Sequence, residues 1–130
     1  MRAAIDDAGL NPADIDYVNA HGTATREGDV AETEALRKVF GKHAPDVAVS
    51  ATKSMHGHLM GATGIVEAIV TALALRRQSV PPTAFLDTLD PACAGLHHVT
   101  RAETGFRIRA ALSNSFAFGG SNAVLAFRSA

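Results

Sequence analysis

The apolar positions of this chain change their spacing several times, and each change marks an expected element. Residues 2–8 are helix formers that stop at Gly9, a residue suited to the left-handed backbone at a helix end. Asn11-Pro12 offers a cap followed by proline, which predicts a short helical turn. Residues 15–19 read I-D-Y-V-N and alternate as a strand does. Helical spacing returns over residues 30–40, with Asp29 opening the helix and Gly41 ending it. There Ala31, Leu36, Val39 and Phe40 fall near one face, and Glu32, Glu34, Arg37 and Lys38 fall elsewhere. Residues 47–51 form a short apolar run of the kind found in buried parallel strands. A helix over residues 61–77 is apolar nearly all round, which predicts burial on several sides.

Beyond it, Val80-Pro81-Pro82-Thr83 is a stiff connector and residues 86–95 are a loop turning at Asp90-Pro91. Residues 97–99 read as a minor strand. Residues 107–118 and 122–128 read as two strands around Gly119-Gly120, antiparallel if the turn is tight. Strand, helix, strand, helix and terminal hairpin predict one α/β domain over residues 1–130, with a layered mixed sheet and a buried helix.

Composition narrows the partners. Hydrophobic residues make up 47% of the chain and charged residues 19%, so a packed core is expected and disorder is not. A net charge of −1 without a basic face argues against nucleic acid or an anionic membrane. Arg76-Arg77, the one short basic cluster, complements a helix dipole. The single cysteine, Cys93, excludes an internal disulfide and fits a reducing compartment. The acidic opening M-R-A-A-I-D-D lacks a signal-peptide pattern. The apolar run 59–75 is short for a membrane span and is broken by Gly61, Gly64 and Glu67. A cytoplasmic, soluble domain is expected. Its most apolar helix predicts a large apolar surface in isolation, and hence self-association or partner binding.

Two glycine-rich, histidine-bearing segments follow the first two strands: V-N-A-H-G-T-A-T at 18–25 and S-A-T-K-S-M-H-G-H-L-M-G-A-T-G-I-V-E at 50–67. Polar groups held between buried elements have their geometry fixed for them, which is what catalysis requires. A metal site would use the H-x-H pair of His56 and His58 with one more ligand, but no cysteine pair or carboxylate stands at ligand spacing, so no metal is expected. Each histidine alone also fits an ordinary loop hydrogen bond. Gly57, Gly61 and Gly64 do not make a nucleotide-binding pattern, and no G-K-[ST] follows. Cys93 has no neighbouring base to draw out its thiolate and reads as structural. The segment S-N-S-F-A-F-G-G-S-N-A reads equally as a hairpin turn or as a glycine-flanked phenylalanine gate.

Taken in order, V-N-A-H-G-T-A-T-R-E-G-D, T-K-S-M-H-G-H-L-M-G-A-T-G-I-V-E, V-P-P-T, D-P-A-C and S-N-S-F-A-F-G-G-S-N-A make a combination that spans nearly the whole chain. The chain resembles the C-terminal half of an elongating β-ketoacyl-acyl carrier protein synthase, including the ketosynthase domains of polyketide synthases. The resemblance implies a thiolase fold of two similar α/β halves, of which this is the second. It implies a decarboxylative Claisen condensation in fatty acid or polyketide biosynthesis, with substrates carried on the phosphopantetheine of acyl carrier protein and no other cofactor. His21 and His58 match the catalytic histidines, and Lys53 and Glu67 match a buried lysine and glutamate. Asp29 matches a further member of their network. Thr23 and Thr25 match hydroxyls that contact the pantetheine arm, Phe118 the gating phenylalanine, and Gly119 the turn beside it. Acyl carrier protein, a cysteine-bearing N-terminal half and a second copy in a homodimer are the implied partners.

The chain departs from the family pattern at three points. His56 stands where a small polar residue is frequent, so a third imidazole is expected to crowd the loop or to hydrogen-bond within it. Ala117 stands where glycine is common and should stiffen the gate. The nucleophilic cysteine is absent, since Cys93 does not match it, so this chain alone should not condense anything. Two readings follow: the histidine-bearing portion of a condensing enzyme, or a non-catalytic relative that binds acyl chains or partner subunits.

Overall fold

The structure, a computed structural model, describes residues 1–129. In chain order the elements are α1 (Arg2–Asp7), β1 (Ile15–Asn19), α2 (Arg26–Phe40), β2 (Ala48–Ser50), α3 (Lys53–His56), α4 (Thr63–Arg77), β3 (Ser79–Val80), β4 (His97–His98), β5 (Glu103–Thr104), β6 (Ala110–Phe116) and β7 (Asn122–Arg128). Five strands form one sheet in the order β4-β2-β1-β6-β7. The first four are parallel, and β7 returns antiparallel along β6, which gives the mixed sheet and terminal hairpin expected. β3 and β5 make a separate antiparallel pair.

Side chains alternate across a strand, so the central β1 feeds two cores. Val18 and Ala20 join Ile5, Leu36, Phe40, Val47, Val49 and Leu112 under α1 and α2. Tyr17 joins Ala48, Ala74, Leu75, Val99 and Ala111 under α4. Ile15 packs with Val18 although they stand an odd number of positions apart, because the β1–β6 register shifts between Ile15 and Tyr17. The result is helix, sheet, helix. Parallel β1, β2 and β6 all finish at the same edge, and there the chain delivers His21, Lys53 and Phe116.

Several expectations are corrected. α2 begins at Arg26, a full turn before the expected start, so Asp29 lies inside the first turn and does not cap it. Its inward stripe is Glu32, Thr33, Leu36 and Phe40, whereas Ala31 is exposed. The carboxylate of Glu32 faces inward because three donors await it there. The short α3 was not anticipated, nor was the β3–β5 pair. β6 runs from Ala110 to Phe116, and so starts later and ends earlier than its pattern implied.

The most informative correction concerns α4. Its buried side consists of Thr63, Glu67, Ala68, Thr71, Ala74 and Leu75, whereas Ile65 and Ile69 are 63% and 53% exposed and Leu73 lies between them and the helix end. The helix is therefore not buried on several sides. It turns polar residues inward and an isoleucine ridge outward, the reverse of the usual arrangement. Inside, Thr71 Oγ1 donates to the carbonyl of Glu67 at 2.7 Å, which accounts for a buried hydroxyl. Among the described residues no helix is long and apolar enough to cross a membrane.

Candidate active site

His21 leaves β1 just past Ala20, and its position is set by a carboxylate from α2. The backbone N–H groups of His21 and Gly22 donate to Glu32 Oε1 and Oε2, each at 2.9 Å. Asn114 Nδ2 on β6 donates to the same Oε1 at 2.9 Å. One buried carboxylate thus ties together the exit of β1, helix α2 and strand β6. Charge-assisted bonds of this kind are about twice as strong as neutral ones. Gly22 is required beside it, since a Cβ there would lie 2.4 Å from the Ala51 Cβ and the backbone φ is +41°.

Lys53 opens α3 and is buried, with Nζ 2.5 Å from Oε1 of the fully buried Glu67 on α4. Glu67 Oε2 has no hydrogen-bond partner among the described residues, and burial pushes the carboxyl above its ordinary range while Lys53 opposes the shift. Asn19, at the end of β1, links the pair to the sheet. Its Nδ2 donates to the Glu67 carbonyl at 3.3 Å, and its Oδ1 accepts from Thr52 Oγ1 at 3.3 Å.

His58 follows α3. The backbone N–H of Met60 donates to its Nδ1 at 3.2 Å, and Thr63 Oγ1 lies 3.0 Å from the same nitrogen. With Nδ1 occupied as an acceptor, the proton of a neutral ring sits on Nε2. The His58 ring meets that of His21 edge to face, with centroids 5.8 Å apart and an angle of 88°. Phe116 covers His21 from β6 at 5.7 Å. Burial, the Lys53 ammonium and His58 together push His21 down to a pKa of about 4. His21 is therefore neutral near pH 7. The cluster presents two imidazoles beside a buried ammonium–carboxylate pair, an arrangement able to hydrogen-bond an oxygen on which negative charge develops.

Of the residues singled out in the sequence, His21, His58, Lys53 and Glu67 come together. Asp29 is half-buried in the first turn of α2, where burial raises its pKa and Ala24 and Thr23 backbone groups oppose the shift; one oxygen, Oδ1, has no hydrogen-bond partner among the described residues. Thr23 and Thr25 pair through their hydroxyls at 3.2 Å on the exit loop of β1. Phe118 and Gly119 lie on the β6–β7 connection, where Phe118 is fully exposed and Gly119 has φ +80°. Ala117 is extended, a conformation any residue adopts, so it strains nothing. His56 turns to Gly57 O at 2.7 Å and Thr52 Oγ1 at 3.2 Å. Cys93 is buried in the 86–95 loop, and its carbonyl lies 2.7 Å from His98 Nε2.

Sequence reasoning missed Glu32, Asn19, Asn114, Thr63 and Phe116. A carboxylate at the third position of an apolar stripe was the available signal for Glu32. For Asn19 and Asn114 it was an amide at the end of a buried strand.

Comparison with known proteins identifies the family and the fold. The family profile described as "Beta-ketoacyl synthase, C-terminal domain" matches residues 1–87. Nodulation protein E of Rhizobium sp. N33 is 49% identical over 128 residues, which cover 98% of this chain and 32% of that protein. The 3-oxoacyl-[acyl-carrier-protein] synthase 2 of Synechocystis is 47% identical over 125 residues, covering 96% and 30%. Among solved structures, a β-ketoacyl synthase from Burkholderia phymatum superposes with a TM-score of 0.91 at 43% identity, covering 98% of this chain and 31% of that one. The ishigamide ketosynthase/chain length factor superposes with a TM-score of 0.93 at 39% identity, covering 99% and 31%. The chain thus spans about a third of the length of the relatives it matches. With a thiolase-like α/β fold and the matched C-terminal domain, the chain belongs to the β-ketoacyl synthase family.

Proposed function

We propose that this chain is the histidine-bearing portion of a β-ketoacyl-acyl carrier protein synthase, and that it supplies His21, His58 and Lys53 to a decarboxylative condensation. The observation that carries this reading is the edge-to-face meeting of His21 and His58 beside the Lys53–Glu67 pair. Both imidazoles can direct an N–H at the thioester oxygen of a malonyl group. As the bond to the carboxylate breaks, carbon dioxide leaves and the electron pair moves onto the α-carbon and that oxygen. The two donors stabilise the enolate as its charge appears. The α-carbon then attacks an acyl thioester, a carbon–carbon bond forms and a cysteine thiolate departs. That cysteine comes from a second portion of the enzyme, because Cys93, the one cysteine of this chain, is buried.

Substrates arrive on the phosphopantetheine of acyl carrier protein, with Thr23 and Thr25 contacting the arm and Phe118 gating it, and no other cofactor takes part. Asp29 supports the loop that carries these threonines. The complete enzyme is a cytoplasmic homodimer.

The test is to combine the chain with its cysteine-bearing portion and to follow carbon dioxide release and condensation from malonyl carrier protein. His21→Ala and His58→Ala should each abolish both. Full activity in both variants overturns the assignment. The exposed Ile65–Ile69 ridge favours a second reading, a non-catalytic module that holds a partner subunit. Carrier-protein binding without any malonyl decarboxylation would select it.

A further inference from the structure

His58 has little to hold it in place. It sits, itself exposed, on the 57–62 connection between α3 and α4. There Leu59 is exposed and Met60 is 78% exposed, a Cβ on Gly57 would meet nothing, and Gly57 and Met60 both take positive φ. Such a segment is not packed onto the core and follows it only loosely. The ring's hydrogen bonds both fall on Nδ1, and Nε2 has none among the described residues. The Met60 N–H comes from the connection itself and moves with it. Thr63 Oγ1 does not. Thr63 is 3% exposed in the first turn of α4, and a Cβ on the next residue, Gly64, would stand 3.6 Å from Ser115 Oγ on β6. An N–H can only donate, so Nδ1 accepts from Met60, and the Thr63 hydroxyl donates to the same nitrogen at 3.0 Å. That hydroxyl makes no other hydrogen bond among the described residues and does not cap its own helix.

We infer that Thr63 is a positioning residue whose buried hydroxyl ties the His58 ring to α4 and so fixes where Nε2 points. A bond from within the connection orients the ring relative to that connection alone. A bond from α4 orients it relative to the sheet, and therefore relative to His21, whose ring it meets edge to face. Thr63 and Glu67 stand four residues apart on the inward side of α4, one turn from each other. Glu67 holds Lys53 at the second of these positions. One face of one helix thus sets both His58 and Lys53, a use for an inward polar stripe that packing alone does not require. The inference rests on the reading that His58 serves the condensation, but the placement of its ring can be measured without that reading.

In the assembled enzyme, Thr63→Val keeps the shape of the side chain and removes the donor, whereas Thr63→Ser keeps the donor and removes a methyl group. Crystal structures should show the His58 ring turned away from His21, or spread over more than one orientation, in Thr63→Val and unmoved in Thr63→Ser. Thr63→Ala, which lacks both groups, should match Thr63→Val. A ring that keeps the parent's place in the valine and alanine variants overturns the inference whatever the rates. In kinetics, Thr63→Val should lower kcat for carbon dioxide release from malonyl carrier protein about tenfold at unchanged KM, and Thr63→Ser should stay within about twofold of the parent. Equal losses in the two would place the effect in packing and not in the hydroxyl, and would overturn it as well. A displaced ring in Thr63→Val of an enzyme whose parent never decarboxylates would uphold the positioning and fault the condensing role alone.

Discussion

The ionisable side chains at this site are set by burial and by one another, and their consequences are measurable. His21 holds its neutral form down to about pH 4 when folded, whereas an unfolded histidine takes up a proton near 6.5. Between these values the unfolded chain binds more protons, so this contribution to stability is complete above pH 6.5 and is lost as the pH falls toward 4. Glu67, with its raised pKa, acts in the opposite direction, so the comparison must be made against a variant. Denaturant titrations should give a smaller loss of stability from pH 7 to pH 4 in His21→Gln than in the parent. The Lys53–Glu67 pair sets a second expectation. Lys53→Ala leaves a buried carboxylate alone and should cost about 3–5 kcal/mol, whereas Lys53→Met with Glu67→Gln should recover most of it. Equal losses in the single and double variants would show that the pair is not coupled. His21, His58, Lys53 and Glu67 were legible because they are chemically conspicuous within quoted motifs. Glu32 was not, because an acidic residue in a helix usually faces water and only three donors from distant segments reverse that.

At the level of elements, the site depends on loops that helices hold rather than on the helices' own faces. Glu32 is the main example, since it receives N–H groups from the loop after β1 and from β6. Glu32→Gln replaces an acceptor oxygen with a donor nitrogen, so at least one N–H is left facing another. The expected loss is about 1–3 kcal/mol in unfolding experiments, together with a fall in condensation rate as His21 shifts. An unchanged rate with reduced stability would confine Glu32 to a structural role. The strands and the two long helices could be read from spacing, because burial imposes period on them. The short α3 and the β3–β5 pair could not, since elements of four and two residues carry too little pattern and owe their shape to neighbours. The start of α2 was misplaced for a related reason: Arg26 to Asp29 are polar, so the helix's first turn leaves no apolar mark.

For the molecule as a whole, the outward Ile65–Ile69 ridge is what the sequence half-revealed. The sequence pattern reads as a helix buried on several sides, whereas the structure buries one side of it and leaves the isoleucines exposed. The sheet instead needs Glu67 and Thr71 inside, which leaves the isoleucines to meet something else. Light scattering after gel filtration should find the isolated chain self-associated, and Ile69→Lys should shift it toward a monomer. The same variant should lose activity in the assembled enzyme by failing to assemble. A monomeric parent chain would show that the ridge is tolerated in water.

Cys93 is the sole sulfhydryl of this chain and is 7% exposed, beneath a loop whose Ala92 and Ala94 carbonyls accept hydrogen bonds from the Arg37 guanidinium on α2. Its reaction with a coloured disulfide reagent must wait for that loop to lift, so the labelling rate is a stopwatch for one local unlatching event. Arg37→Ala should speed the clock several-fold without moving His21 or His58, making the breathing of this face measurable.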